Sequence, residues 1–135
     1  MVSVLIISHG GYGECLIQTV THMLGSKPER VRALGFTLQG DLDLLESMAR
    51  EALAEVDAGR GVLIFTDMYG ATPSNLAARL VVPGRVEAIA GVNAPMLVRA
   101  INYRHEPLAT VAAKALEGGT LGILALPPAP DRMVK

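Results

Sequence analysis

VSVLIISHGGYGECL, residues 2–16, is the stretch on which the fold turns. Residues 2–7 form an apolar run broken only by Ser3. A strand with one wet face alternates apolar and polar residues. A run without that alternation reads as a strand buried on both sides, as in a parallel sheet covered by helices on each face. The run ends at His9, and Gly10, Gly11 and Gly13 follow. These glycines suit a tight turn from strand to helix, and they leave the space beside the imidazole bare, so that a bulky partner could approach the ring.

Outward from this corner the same alternation of strand and helix recurs. Leu16, Ile17, Val20, Met23 and Leu24 repeat at helical spacing, with Gly25 as a stop. A second strand is expected over Val31–Phe36, then a helix capped by Asp41 with the stripe Leu45, Met48, Ala49, Ala52, Leu53 and Val56. Gly59 and Gly61 bracket its end. A third strand over residues 62–65 leads to Thr72 as a hydroxyl N-cap and Pro73 at the first helical position, with that helix running to about Leu80. Val86–Ala90 reads as a fourth strand, and Pro95 opens a helix through Ile101. Pro107 opens a further one, with Leu108, Val111, Ala112, Ala115 and Leu116 on one face and Gly118 and Gly119 at its end. Residues 121–126 read as a late fifth strand.

Strand and helix in alternation predict an α/β fold, a doubly wound, mostly parallel sheet of order 2-1-3-4 with helices on both faces and the fifth strand on an edge. A chain of 135 residues is of single-domain size. The expected division is a domain over residues 1–126 and a short flexible tail over 127–135, where PPAPDRMVK reads as linker-like.

Composition removes several classes of function. The apolar runs fall well short of the ~20 residues of a membrane span, and no secretory signal is recognisable, so the expected setting is cytoplasmic, without membrane insertion. Cys15 is the lone cysteine, which leaves neither an internal disulfide nor zinc-ligand spacing. With 12 basic and 13 acidic residues, a net charge of −1, 4% aromatic residues and no Trp, the chain offers nucleic acid neither a basic stripe nor a stacking platform. GGYGEC does not match the dinucleotide fingerprint and no P-loop occurs, so no cofactor is expected. His22 and His105 belong to no metal-ligand pattern and read as solvated or structural, and no metal is assigned.

In a doubly wound sheet, ligands bind beyond the carboxyl ends of the strands where strand order reverses, here between the first and third strands. His9 follows one and Asp67 the other. Neighbouring strands lie about 4.8 Å apart, within reach of a direct hydrogen bond. A carboxylate accepting from one ring N–H fixes the tautomer, leaves the other nitrogen free to attack, and stabilises positive charge on the ring. Gly70, Ala71 and Thr72 then supply a helix N-terminus, where free amides and the helix dipole favour an anion beside His9. Together these residues point to reversible phosphorylation of an imidazole.

Three segments carry a resemblance: S-H-G at 8–10, D-M-Y-G-A-T-P-S-N at 67–75, and G-V-N-A-P-M-L at 91–97. In this order they resemble the IIA domain of the mannose-family bacterial phosphotransferase system (PTS), over residues 2–126. The resemblance implies a phosphotransferase with a phosphohistidine intermediate. His9 would accept phosphate from the phosphocarrier HPr through Nε2 and pass it to a IIB component. Asp67 would bond the other ring nitrogen, and the Thr72 hydroxyl would contact the phosphoryl group. A homodimer is also implied, with residues 121–126 exchanged as an antiparallel strand on the partner's sheet. The familiar second motif has Trp-Gly-Gly-Ser-Pro where this chain has Tyr69-Gly70-Ala71-Thr72-Pro73, so Ala71 restricts a backbone that glycine leaves free. Many relatives continue into IIB, and here IIB is expected as a separate polypeptide.

Two alternatives stand beside the carrier: a regulatory protein whose phosphorylation state is read by another target, and a flavodoxin-like ligand-binding module in which His9 is incidental. A response-regulator receiver would need clustered acidic residues after the first strand, and Ser8-His9-Gly10 supplies none. Gly91, Val92, Asn93 and Pro95 fall at the same end of the sheet, as loop shape or as partner contact.

Overall fold

The computed structural model describes residues 1–37 and 41–130. The elements run β1 (Ser3–His9), α1 (Tyr12–Leu24), β2 (Val31–Phe36), α2 (Leu42–Val56), β3 (Val62–Thr66), α3 (Thr72–Leu80), β4 (Val86–Ala90), α4 (Ala94–Asn102) and α5 (Leu108–Leu121). All strand pairs are parallel, in the order β2-β1-β3-β4. The expected strand order and doubly wound class are therefore observed.

The apolar run of β1 behaves as its sequence requires: every residue is buried except His9. Side chains alternate between two cores. Val4 and Ile6 join Leu63 and Phe65 of β3 against α1, α4 and α5, whereas Leu5 and Ile7 join Val62 and Ile64 against α2 and α3. Each fully buried aliphatic side chain contributes about 1.5–3 kcal/mol, so the central pair β1 and β3 forms the rigid base of the molecule. A buried Arg104 closes the amino-terminal end: its Nε and Nη2 donate to the Val2 carbonyl at 3.1 and 3.0 Å, and Nη2 also donates to the Arg30 carbonyl at 3.2 Å. The strand register places His9 opposite Phe36 and Ile7 opposite Thr66, so His9 and Asp67 leave the sheet side by side.

Helix boundaries hold where caps were readable. The Asp41 carboxylate accepts from the Asp43 N–H at 3.0 Å, and Gly25 ends α1 at φ 85°. Two expectations are corrected. Thr72 is not the N-cap of α3: Ala71, extended at φ −91° and ψ 168°, occupies that position, and its carbonyl accepts the helical Asn75 N–H at 3.0 Å. The hydroxyl of Thr72 is thus left uncommitted to capping, one residue inside the helix.

Gly118 and Gly119 do not end α5, which continues to Leu121. They serve close packing instead. A Cβ on Gly118 would lie 2.9 Å from Arg99 Cβ, and one on Gly119 would lie 2.6 Å from Met96 Cε, so these glycines let α5 lie against α4. The expected fifth strand over residues 121–126 is not formed in the single chain: Leu121 is helical and the residues after it have no ladder partner. Strand geometry needs a neighbour for its N–H and C=O groups, and none lies beside this segment. Of the expected tail, residues 131–135 lie outside the described residues.

Gly35 fixes the corner next to His9. A Cβ there would meet the Gly10 carbonyl oxygen at 2.0 Å, while the Gly10 N–H donates to the Phe36 carbonyl at 2.8 Å. Gly35→Ala is expected to destabilise the fold by about 1–3 kcal/mol, the range for overpacking a filled site. Urea denaturation checks this, and a loss under 0.5 kcal/mol would contradict it.

Candidate functional site

The structure brings His9 and Asp67 together. Asp67 Oδ2 accepts from His9 Nδ1 at 2.8 Å and from the His9 backbone N–H at 2.9 Å, while Oδ1 accepts from the Met68 N–H at 3.0 Å. One carboxylate oxygen thus holds both the main chain and the ring of His9. The ring is 54% exposed and the carboxylate 14%. With Nδ1 engaged as a donor, Nε2 carries the lone pair.

Burial disfavours ionisation of Asp67, but hydrogen bonds from the His9 backbone and ring, with the ring's charge, outweigh it and hold the carboxyl below its ordinary value. Such a group adds stability that is complete above the unfolded value of about 3.9 and disappears as pH falls through the folded value. The stability difference between wild type and Asp67→Asn is therefore expected to close as pH falls below about 4. Urea melts from about pH 5 downward check it. A gap that stays fully open once the carboxylate is protonated would contradict it.

The glycines around His9 divide by role. Gly10 and Gly11 face open space, and Gly10 sits at φ 47°. Gly13 is instead a packing residue, since a Cβ there would lie 2.8 Å from Ile6 Cγ2. The loop opposite His9 comprises Asp67, Met68, Tyr69, Gly70 and Ala71, with Gly70 at φ 84° and Met68 and Tyr69 64% and 88% exposed. Gly70, Ala71 and Thr72 lead into α3, whose first-turn amides have no carbonyl one turn back. His9 and Asp67 come from the two central strands, and the Gly70–Thr72 segment follows from the second of them.

Other residues at this end became visible only in three dimensions. The Tyr12 hydroxyl donates to the Val92 carbonyl at 2.7 Å, tying the start of α1 to the loop after β4. Asn93 caps α4, its Oδ1 accepting from the Met96 N–H at 3.0 Å and its Nδ2 donating to the Gly119 carbonyl at 3.1 Å. Val92 and Asn93 thus both take part in shaping this end of the sheet. A tyrosine set between two glycines gives no sequence signal for a bond across 80 positions; the Asn-x-x cap before Pro95 was open to recognition. His22 and His105 are both exposed and lie away from this end. Among the described residues no group of three or more His, Cys, Asp or Glu could hold a metal ion.

His9 stands at an open surface. A cleft of about 630 Å³ lies at the other end of the sheet, lined by Leu53, Arg60, Arg85 and neighbours. An exposed nucleophile beside a bare turn and a protruding loop suits a macromolecular partner better than an enclosed small molecule.

Residues 3–116 match the model of a family described as "PTS system fructose IIA component", of mannose type. The chain belongs to this PTS IIA family. It is 34% identical over 128 residues to the PTS system mannose-specific EIIAB component of Escherichia coli K12, covering 93% of this chain and 39% of that protein. The chain thus spans well under half the length of that relative. It is 29% identical over 105 residues to the fructose-specific EIIA component of Bacillus subtilis, covering 77% of this chain and 71% of that one. Among solved structures, the mannose/sorbose-specific IIA subunit from Enterococcus faecalis superposes with a TM-score of 0.83 at 21% identity, covering 95% and 96% of the two chains. The EIIA component from Streptococcus agalactiae gives 0.81 at 20%, covering 93% and 97%. At those identities the structural likeness speaks for the IIA fold. No helix of the described residues of this IIA protein is long and apolar enough to cross a membrane.

Proposed function

We propose that this IIA protein is a phosphocarrier that takes a phosphoryl group from phospho-HPr onto His9 Nε2 and passes it to a IIB component in the cytoplasm. The observation that carries the reading is the 2.8 Å bond between Asp67 Oδ2 and His9 Nδ1, which leaves Nε2 as the exposed nucleophile. In the transfer, the Nε2 lone pair forms the new N–P bond while the donor's bond to phosphorus breaks and its electron pair returns to the donor. The positive charge that arises on the His9 ring is met by the Asp67 carboxylate. Passage to IIB is the same step in reverse.

The loop ending in Gly70, Ala71 and Thr72 is the proposed phosphoryl cradle. Its support is the N-terminus of α3, with the positive end of the helix dipole and a Thr72 hydroxyl not used for capping. The domain would comprise residues 1–126, followed by the tail, and assemble as a homodimer in which residues 121–126 pair antiparallel with the partner's β4. Support comes from two features of the single chain. Among the described residues β4 has a strand, β3, on one side only, with a single bridge from Val86 to Val82 at its start, and Ile123, Leu124 and Leu126 are 74–90% exposed. Burying them against a second copy would remove an apolar patch that water disfavours.

Incubation with phospho-HPr, followed by mass spectrometry under conditions that preserve N–P bonds, tests the carrier reading. Label on His9 that discharges on addition of a IIB protein is the expected result, and an unlabelled His9 would overturn it. Label that persists with IIB present would favour the regulatory alternative. Sedimentation of the full chain should give a dimer, and a monomer at micromolar concentration would refute the strand exchange.

A further inference from the structure

We propose that Ser74 is a positioning residue for phosphotransfer, acting through Asp67 by tying the Met68 carbonyl on one side of it to the Thr66 side chain on the other. The inference rests on the reading of His9 as the phosphoryl acceptor. Ser74 lies in the first turn of α3, and its Oγ is 2.5 Å from both the Thr66 Oγ1 and the Met68 carbonyl oxygen. Thr66 and Met68 are the residues immediately before and after Asp67.

The proton directions follow from the groups. A carbonyl only accepts, so the single Ser74 hydroxyl proton goes to Met68, and the Thr66 hydroxyl must then donate to Ser74 Oγ. The result is a one-way chain, Thr66 O–H to Ser74 O–H to Met68 C=O, in which each bond polarises the next. Thr66 is 1% exposed, so its side chain is held in the sheet. The same residue's carbonyl accepts from the Gly91 and Val92 N–H groups at 2.9 and 3.0 Å.

Ser74 thus couples an exposed loop to the rigid end of β3. Met68, whose carbonyl it holds, also donates its own N–H, one peptide plane earlier, to Asp67 Oδ1. Without the hydroxyl, the Met68 carbonyl keeps only the Ala71 N–H at 3.5 Å, and the carboxylate that holds the His9 ring gains freedom to swing. Displacement by a fraction of an ångström at a reacting group lowers rates steeply. An open cleft lined by Thr66, Tyr69, Gly70 and Ser74 adjoins the hydroxyl, with room for one further methyl group.

The test compares Ser74→Ala, Ser74→Thr, Thr66→Val and Asp67→Asn in the full chain. Two quantities are read: the rate of phosphorylation by phospho-HPr, and the chemical shift of the His9 Nδ1–H proton by NMR, which reports its bond to Asp67. Ser74→Ala is expected to slow transfer roughly tenfold and to move that resonance upfield, because the ring N–H loses its steady acceptor. Ser74→Thr should restore both. Thr66→Val should move both in the same direction by a smaller amount, and it decides the matter if Ser74→Ala does not fold.

A wild-type rate and Nδ1–H resonance in Ser74→Ala, or in Thr66→Val where that variant must serve, would overturn the inference. A Ser74→Thr variant as impaired as Ser74→Ala would do the same, since a filler role rather than the hydroxyl would then be at issue. Asp67→Asn separates this failure from that of the underlying reading. If it slows transfer and moves the resonance while Ser74→Ala does neither, only the role of Ser74 falls. If His9 takes no label in the wild type, both fall.

Discussion

His9→Gln is expected to reduce phosphoryl incorporation from phospho-HPr by roughly 10⁴-fold or more, the scale on which deleting a nucleophile acts. Glutamine has similar reach and still offers a donor to Asp67, but no ring nitrogen with an in-plane lone pair at the Nε2 position. The substitution removes the nucleophile and little else. The ring is more than half exposed, and the His9 backbone N–H bond to Asp67 Oδ2 does not depend on the side chain. Unfolding free energy should accordingly stay within about 1 kcal/mol of wild type. Incorporation can be measured with radiolabelled phosphate and stability by urea denaturation of the same preparation. Wild-type incorporation in this variant would remove His9 from the reaction.

The second large effect lies at the far end of the sheet. Arg104 is 5% exposed and its guanidinium bonds two main-chain carbonyls, those of Val2 and Arg30, while its own carbonyl accepts the Val2 N–H at 2.7 Å. Burial pulls its pKa below the ordinary arginine value, opposed by the charge of Glu29. A guanidinium remains ionised under such a shift, and the charged donors make these bonds stronger than neutral ones. Arg104→Ala takes both guanidinium donors from the Val2 carbonyl, leaves the Arg30 carbonyl with the Val4 N–H alone, and loses the packing of the aliphatic stem, for a combined cost of about 3 kcal/mol.

Arg104→Lys should recover only part of this, because an ammonium does not reproduce the planar fork that reaches both carbonyls. Thermal and urea unfolding check both variants, with a fall in Tm of about 10 °C expected for the alanine variant. A change below 0.5 kcal/mol would show that water replaces the guanidinium there. Phosphorylation of His9 at a temperature where the variant is folded should be unchanged, since the staple lies at the opposite end of β1.

Much of the candidate site was legible in advance for a reason that lies in topology. A two-sided buried run that ends at a histidine, and a second that ends at an aspartate, leave few places for either side chain once the sheet is parallel. The strand order then makes them neighbours. What could not be read was any bond that depends on which helix turn faces which loop. Nothing in the sequence marks Ser74 or Tyr12 for the bonds they make. Their partners, Met68 and Val92, are main-chain groups that carry no side-chain signal. Gly118 and Gly119 were read as a helix stop because glycine there has two explanations, a terminal turn or a close approach, and only the position of α4 chooses between them.

By itself the sequence settled the alternation of elements, the two-faced burial of the central strands and the placing of His9 and Asp67 at their carboxyl ends. Those features follow from hydrophobic period and chain punctuation, which are local. The tertiary structure alone decided that Nδ1 rather than Nε2 meets the carboxylate, that Ala71 and not Thr72 begins α3, that α5 runs on to Leu121, and that one serine hydroxyl ties down both neighbours of Asp67. Each of these depends on distances of a few tenths of an ångström between groups remote in the chain or set by a loop's path, and no periodicity in a sequence encodes them.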